Sequence, residues 1–199
     1  MDTRQFIAEH LHDDVSELAL KYSNAKVDMA LALRQIAARQ TLQKKVPSWS
    51  ANEDLRFPAH LPLEQCSSET TAQYKASLLH GDSFVDLTGG LGVDCSFIAR
   101  HFSSAGYVEQ DAELCELAVH NFQTLGQAVT VHHDTAESFL THCPNVDCLF
   151  LDPARRDLHG RKMVSIGDCT PDVLALQDQL LGKARQVMVK LSQIGRAHV

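Results

Sequence analysis

Hydrophobic positions near the start of the chain recur at three- and four-residue steps. Ile7, Leu11, Val15, Leu18 and Tyr22 form one stripe beside His10, Asp13, Asp14 and Glu17, which predicts an amphipathic helix. A second stripe runs through Val27, Ala30, Leu31, Ala38 and Leu42 into Lys44 and Lys45, cations that suit a helix C-terminus. Pro47, Pro58 and Pro62 break the period, so residues 46–63 read as a connector. Ser67 or Ser68 is placed to cap a further helix carrying Thr71, Tyr74 and Leu78 and closed by Gly81.

From residue 83 the period changes to short apolar runs alternating with helical patterns. Strands are predicted over 83–87, 105–109, 128–132, 147–151 and 186–191, and helices over 93–102, 112–125, 136–141 and 171–181. Asp111 and Gly126 supply the cap and stop of the second of these helices, and Thr170 with Pro171 the start of the last. Such alternation predicts an α/β fold with a parallel, doubly wound sheet behind an N-terminal helical region.

Composition narrows the function classes. The chain has 199 residues, 44% hydrophobic and 22% charged, enough for one domain with a real core. A net charge of −7 argues against broad, non-specific grip on a phosphate backbone. The cysteines at 66, 95, 115, 143, 148 and 169 contain no C-x-x-C pair, so they read as reduced core residues, with no metal site expected. The sequence starts without a basic, apolar leader and has no membrane-length apolar run. A soluble, cytoplasmic protein is the expectation.

The stretch FVDLTGGLGVD, residues 84–94, carries the chemistry. Gly89, Gly90 and Gly92 fall at a strand-to-helix turn, where glycines permit close approach of backbone to ligand and the helix N-terminus offers N–H donors. The spacing is G-G-x-G and not the dinucleotide G-x-G-x-x-G, and Asp86 and Asp94 flank it. Carboxylates there would repel a pyrophosphate and attract an ammonium or sulfonium group, which points to S-adenosylmethionine. Glu109 ends the second strand, seventeen residues after Gly92, where an acid can bind both ribose hydroxyls. Asp134 follows the third strand, placed for the adenine edge. The fourth strand ends in LDPARRD, residues 151–157. There the Asp152 carboxylate or nearby carbonyls can orient an acceptor's N–H for in-line attack. Arg155, Arg156, Arg161 and Lys162 concentrate positive charge beside it and suit a phosphate or carboxylate of the substrate.

At these segments, together with LPLEQCSSETTAQYKASLLHG, SIGDCTPDVLALQDQLL and VMVKLS, the chain resembles class I S-adenosylmethionine-dependent methyltransferases of the Bacteroidetes type with a THUMP-like C-terminal domain. The resemblance implies a Rossmann-like methyltransferase core. It implies a cofactor site of Asp86, Thr88, Gly89, Gly90, Gly92, Asp94, Glu109, Gln110, Asp134 and Thr135. The acceptor motif would comprise Asp152, Pro153, Arg155 and Arg156. A lid helix follows Glu64 and Gln65, with Ser67, Ser68, Thr71 and Lys75 as further candidates. The implied activity is methyl transfer to a nucleic-acid nitrogen, with RNA as partner through a C-terminal domain absent here. Pro153 is followed by Ala154 and not by the aromatic residue common in amino-directed enzymes. A non-catalytic, cofactor-binding RNA-associated module is therefore one alternative, and an NAD-dependent oxidoreductase another. The terminal IGRAHV reads as the translation of a library adapter. The expected division is a helical region and connector over 1–63, an incomplete core over 64–193 lacking its sixth and seventh strands, and a non-native tail over 194–199.

Overall fold

The computed structural model describes residues 2–22, 26–58, 63–154 and 169–191. Five strands, β1 (Ser83–Asp86), β2 (Ser104–Glu109), β3 (Val129–His133), β4 (Val146–Leu151) and β5 (Ala184–Val189), form one sheet in the order β3-β2-β1-β4-β5. Every neighbouring pair is parallel. The expected doubly wound sheet is present, and its strand order reverses between β1 and β4. Period-two alternation divides the core between the two faces. Phe84, Tyr107, Cys148 and Phe150 join one buried cluster, whereas Val85, Leu87, Val108, Leu149 and Leu151 join the other.

Helices α5 (Glu69–Leu78), α6 (Val93–Ala99) and α7 (Ala112–Thr124) contribute to the first cluster; α8 (Ala136–His142) and α9 (Val173–Lys183) cover the second. Asp111 caps α7 by accepting from the Leu114 amide, and Gly126 follows its end at φ 66°, both as the sequence predicts. One start differs. The α9 cap is Asp172, whose carboxylate accepts from the Leu174 and Ala175 amides, while Thr170 pairs its backbone with Ala154. The burial of α5 differs as well. Ser68 caps α5, but Tyr74 and Leu78 face outward at 64% and 46% exposure. The buried face of α5 is Ala72, Lys75 and Ala76.

The first apolar stripe spans two helices, α1 (Thr3–Glu9) and α2 (Val15–Lys21), because Asp14 takes the amides of Ser16 and Glu17 and starts a new helix. Both pack on α3 (Met29–Leu42) around Phe6, Leu18, Ala32 and Ile36. The connector carries a short helix α4 (Pro47–Ser50) and is tied down by side chains. Buried Arg39 donates to the carbonyls of Ser50, Asn52, Glu53 and Leu55 at 2.7–3.1 Å. Asn121 of α7 pairs with both backbone groups of Arg56 at 2.9 Å. Trp49, Leu55 and Phe57 share one apolar cluster with Val93 and Phe97 of α6, so the N-terminal region and the glycine-turn helix are packed as one body.

Candidate functional site

Read across the sheet, the carboxyl tips carry Asp134 just beyond β3, Glu109 on β2, Asp86 on β1, Asp152 just beyond β4 and Lys190 just beyond β5. This row lies over the point where strand order reverses, the position where open α/β sheets bind ligands.

The turn after β1 is built by the protein's own side chains. A Cβ on Gly89 would sit 2.2 Å from the buried Tyr107 ring, and one on Gly92 would meet Phe122 at 3.3 Å. Those two glycines admit aromatic rings of the core, a correction to the expectation that all three clear space for a ligand. Gly90 and Gly92 both take a positive φ, 53° and 83°, but a Cβ on Gly90 would meet only the Thr88 carbonyl at 3.9 Å. The turn is clamped from β2, since Glu109 Oε2 accepts from the Gly90 amide at 2.8 Å and the Tyr107 hydroxyl donates to the Gly90 carbonyl at 2.6 Å. Glu109 Oε1 accepts from the Asp111 amide at 2.9 Å. Burial holds the Tyr107 phenol well above its usual pKa, so it remains a donor. No side chain caps α6 behind the turn.

The flanking acids do not face an open crevice. Asp86 is 1% exposed and accepts from the Thr88 amide at 2.9 Å. Burial, aided by the charges of Asp94 and Asp152, raises its pKa to about 8, so it is mostly protonated at neutral pH. Asp94, on buried α6, forms an ion pair with Lys75 and accepts from the Ser67 hydroxyl at 2.8 Å. Lys75 also donates to Ser67 at 2.8 Å and lies 5.1 Å over the Phe150 ring. Burial lowers its pKa and the Asp94 charge opposes that shift. The picture of paired anions around the glycines is therefore corrected: one is protonated and the other is neutralised.

Thr88 bridges β1 to β4, its hydroxyl accepting from the Asp152 amide at 2.6 Å. The Asp152 carboxylate accepts from Lys190 Nζ at 2.5 Å. Pro153 is buried, and Ala154 is pinned by paired backbone bonds to Thr170 at 2.8 and 3.0 Å. On the β3 side, Asp134 is partly buried, accepts from the Thr135 amide at 2.8 Å and lies 3.8 Å from His142 Nε2. Thr135 caps α8, and the Gln110 carbonyl meets His133 Nε2 at 3.0 Å. Arg155, Arg156, Arg161 and Lys162 lie outside the described residues. The sequence reading assigns no role to Lys190 or Tyr107 and gives Lys75 no partner, whereas the structure pairs Lys75 with Asp94. For Lys190 a signal existed: it stands at the end of an apolar strand in step with Asp152 after β4.

No protein-family model matches the chain, and no curated protein matches it. Among solved structures it is similar to a "putative methyltransferase" from Porphyromonas gingivalis W83, at 28% identity and a TM-score of 0.78, covering 96% of this chain and 48% of that one. The chain thus spans about half the length of that protein. A precorrin 8w decarboxylase of Methanobacterium thermoautotrophicum shares the fold at 14% identity and a TM-score of 0.55, with 72% of each chain covered. The fold is the Rossmann-like α/β core of class I methyltransferases. Among the described residues no cluster of three or more His, Cys, Asp or Glu is arranged to hold a metal ion, and no helix is long and apolar enough to cross a membrane.

Proposed function

We propose that this chain forms the core of an S-adenosylmethionine-dependent methyltransferase that acts on RNA. The observation that carries this reading is its likeness, over 96% of its residues, to the Porphyromonas gingivalis protein named a methyltransferase. The donor set agrees with the cofactor. Glu109 and Asp134 stand on adjacent strand tips as carboxylates suited to ribose hydroxyls and an adenine amine, and the turn at Gly90 leaves its open side toward solvent. Glu109, Asp134 and the turn at Gly90 would hold the cofactor, with Gln110 and Thr135 beside them. When bound, it supplies a methyl group activated by a sulfonium. Asp152 and Pro153 then mark the acceptor side, and the basic residues 155–162 support a phosphate-bearing substrate. The domain division given above and a cytoplasmic location belong to the same reading.

Two observations favour a second reading, a non-catalytic cofactor-binding module: the Asp152 carboxylate is already tied to Lys190, and no aromatic follows Pro153. Isothermal titration with S-adenosylhomocysteine tests the cofactor, and NADH serves as the competing ligand. Binding of NADH and not S-adenosylhomocysteine would sink the proposal. Transfer of a radiolabelled methyl group to total RNA separates enzyme from module.

A further inference from the structure

We infer that the acceptor is a hydroxyl oxygen, the ribose 2′-hydroxyl of RNA, and that Lys190 is the residue that specifies it; this rests on the methyltransferase reading above. Asp152 and Lys190 stand side by side on adjacent strand tips, 2.5 Å apart, with side chains 35% and 27% exposed and so within reach of a substrate. Together they offer one acceptor and one charged donor. A hydroxyl is itself one donor and an acceptor, and it satisfies both partners at once. An exocyclic base amine presents only donors in its plane. It could use Asp152 alone and would leave the ammonium facing its own hydrogens.

The charge that develops on reaction discriminates further. A nitrogen acceptor becomes cationic as it attacks, and a fixed ammonium in hydrogen-bond contact with the motif's carboxylate opposes that charge. An oxygen acceptor differs, because it must shed its proton to Asp152, and it carries negative charge from that loss until the new O–C bond forms. With a methylsulfonium donor, the hydroxyl oxygen forms the new O–C bond and the C–S bonding pair stays on sulfur. The hydroxyl proton passes to the Asp152 carboxylate and thence to water. The Lys190 ammonium faces the oxygen while it is electron-rich.

A further feature agrees. The pair is fixed before substrate arrives. The Asp152 amide is held by Thr88 at 2.6 Å, and the Lys190 amide donates to the Leu151 carbonyl at 2.8 Å. Lys75 cannot substitute, because it is buried against Asp94 and Ser67.

Fluorescence anisotropy with the full chain, in saturating S-adenosylhomocysteine, tests this without turnover. A single-stranded oligoribonucleotide is compared with the oligodeoxyribonucleotide of the same sequence. The wild type is expected to prefer RNA by about tenfold, the equivalent of a charge-assisted hydrogen bond. Lys190→Met should abolish that preference and Lys190→Arg restore most of it, with S-adenosylhomocysteine affinity unchanged in both as the check on folding. Nuclease digestion and mass spectrometry of methylated RNA should then return a ribose-methylated nucleoside. Equal binding of RNA and DNA, no binding of either, a preference that survives Lys190→Met, or a base-methylated product overturns the inference. Failure of the wild type to bind S-adenosylhomocysteine overturns instead the methyltransferase reading beneath it.

Discussion

Asp86 and Asp94 bracket the glycine turn within a few residues, whereas Glu109 and Asp134 lie one and two strands further along the chain. The fold reverses that order of importance. Asp86 is sealed beneath the turn, and Asp94 faces α5, where Lys75 neutralises it. Glu109 and Asp134 reach adjacent strand tips, partly exposed. Nearness to the glycine turn in sequence thus identified residues that build it, whereas residues further along the chain stand partly exposed at adjacent strand tips. The inner pair is expected to govern stability and the outer pair affinity, a separation that mutation can break.

The largest effect is expected at Lys75→Met, which leaves the Asp94 carboxylate buried without its cation. Breaking a buried pair costs about 3–5 kcal/mol, and a thermal melt should fall by roughly 10 °C or more for a chain of this size. A double change, Lys75→Met with Asp94→Leu, should recover most of the loss. An unchanged melt in the single variant would mean that the inner pair is not structural.

Gly89→Ala comes next. Its methyl would collide with the Tyr107 ring, which Phe122 packs at 5.5 Å and the Gly90 carbonyl anchors. Overpacking of this kind costs about 1–3 kcal/mol, measurable by urea denaturation.

The outer pair is tested by affinity. Glu109→Gln should weaken S-adenosylhomocysteine binding about tenfold, as charge-assisted contacts are lost. Asp86→Asn should change it far less, because that carboxyl is already mostly protonated and keeps an acceptor for the Thr88 amide. Equal losses on titration would erase the distinction between the pairs.

A pH series sharpens it. Folding raises the Asp86 pKa from an ordinary 3.8 to about 8, so between these values the folded state keeps a proton that the unfolded chain has released. Stability through this group therefore falls as pH rises from 4 to 8 and is flat above. The Asp86→Asn variant lacks this penalty, and its melting temperature should gain steadily on the wild type across that window. The smallest change is Gly182→Ala in α9. A Cβ there meets nothing within 4 Å, and the helix should gain at most about 0.5–1 kcal/mol.

Much of the architecture was readable because its signals are local. The alternation of apolar runs, Asp111 and Gly126 around α7, and Ser68 before α5 each act within a few residues, and the strands appeared within two residues of their predicted ends. Failures occurred where a competing signal, a local cap or a tertiary partner, prevailed over the periodic one. Asp14 split a continuous stripe into two helices, Asp172 displaced Thr170 as a cap, and α5 turned a lysine inward because Asp94 was there to receive it.

By itself the sequence determined the parallel doubly wound sheet, the place of the glycine turn and the acids at the tips of the first four strands, since period and turn chemistry are properties of adjacent residues. Only the tertiary structure decided which glycines admit the protein's own rings, which acids are spent on internal partners, and that Lys190 meets Asp152. Those outcomes depend on contacts between residues nineteen to sixty-four positions apart, Lys75 with Asp94, Asp152 with Lys190 and Thr88 with Asp152. The packing of two chain segments against each other leaves no periodic trace in either one.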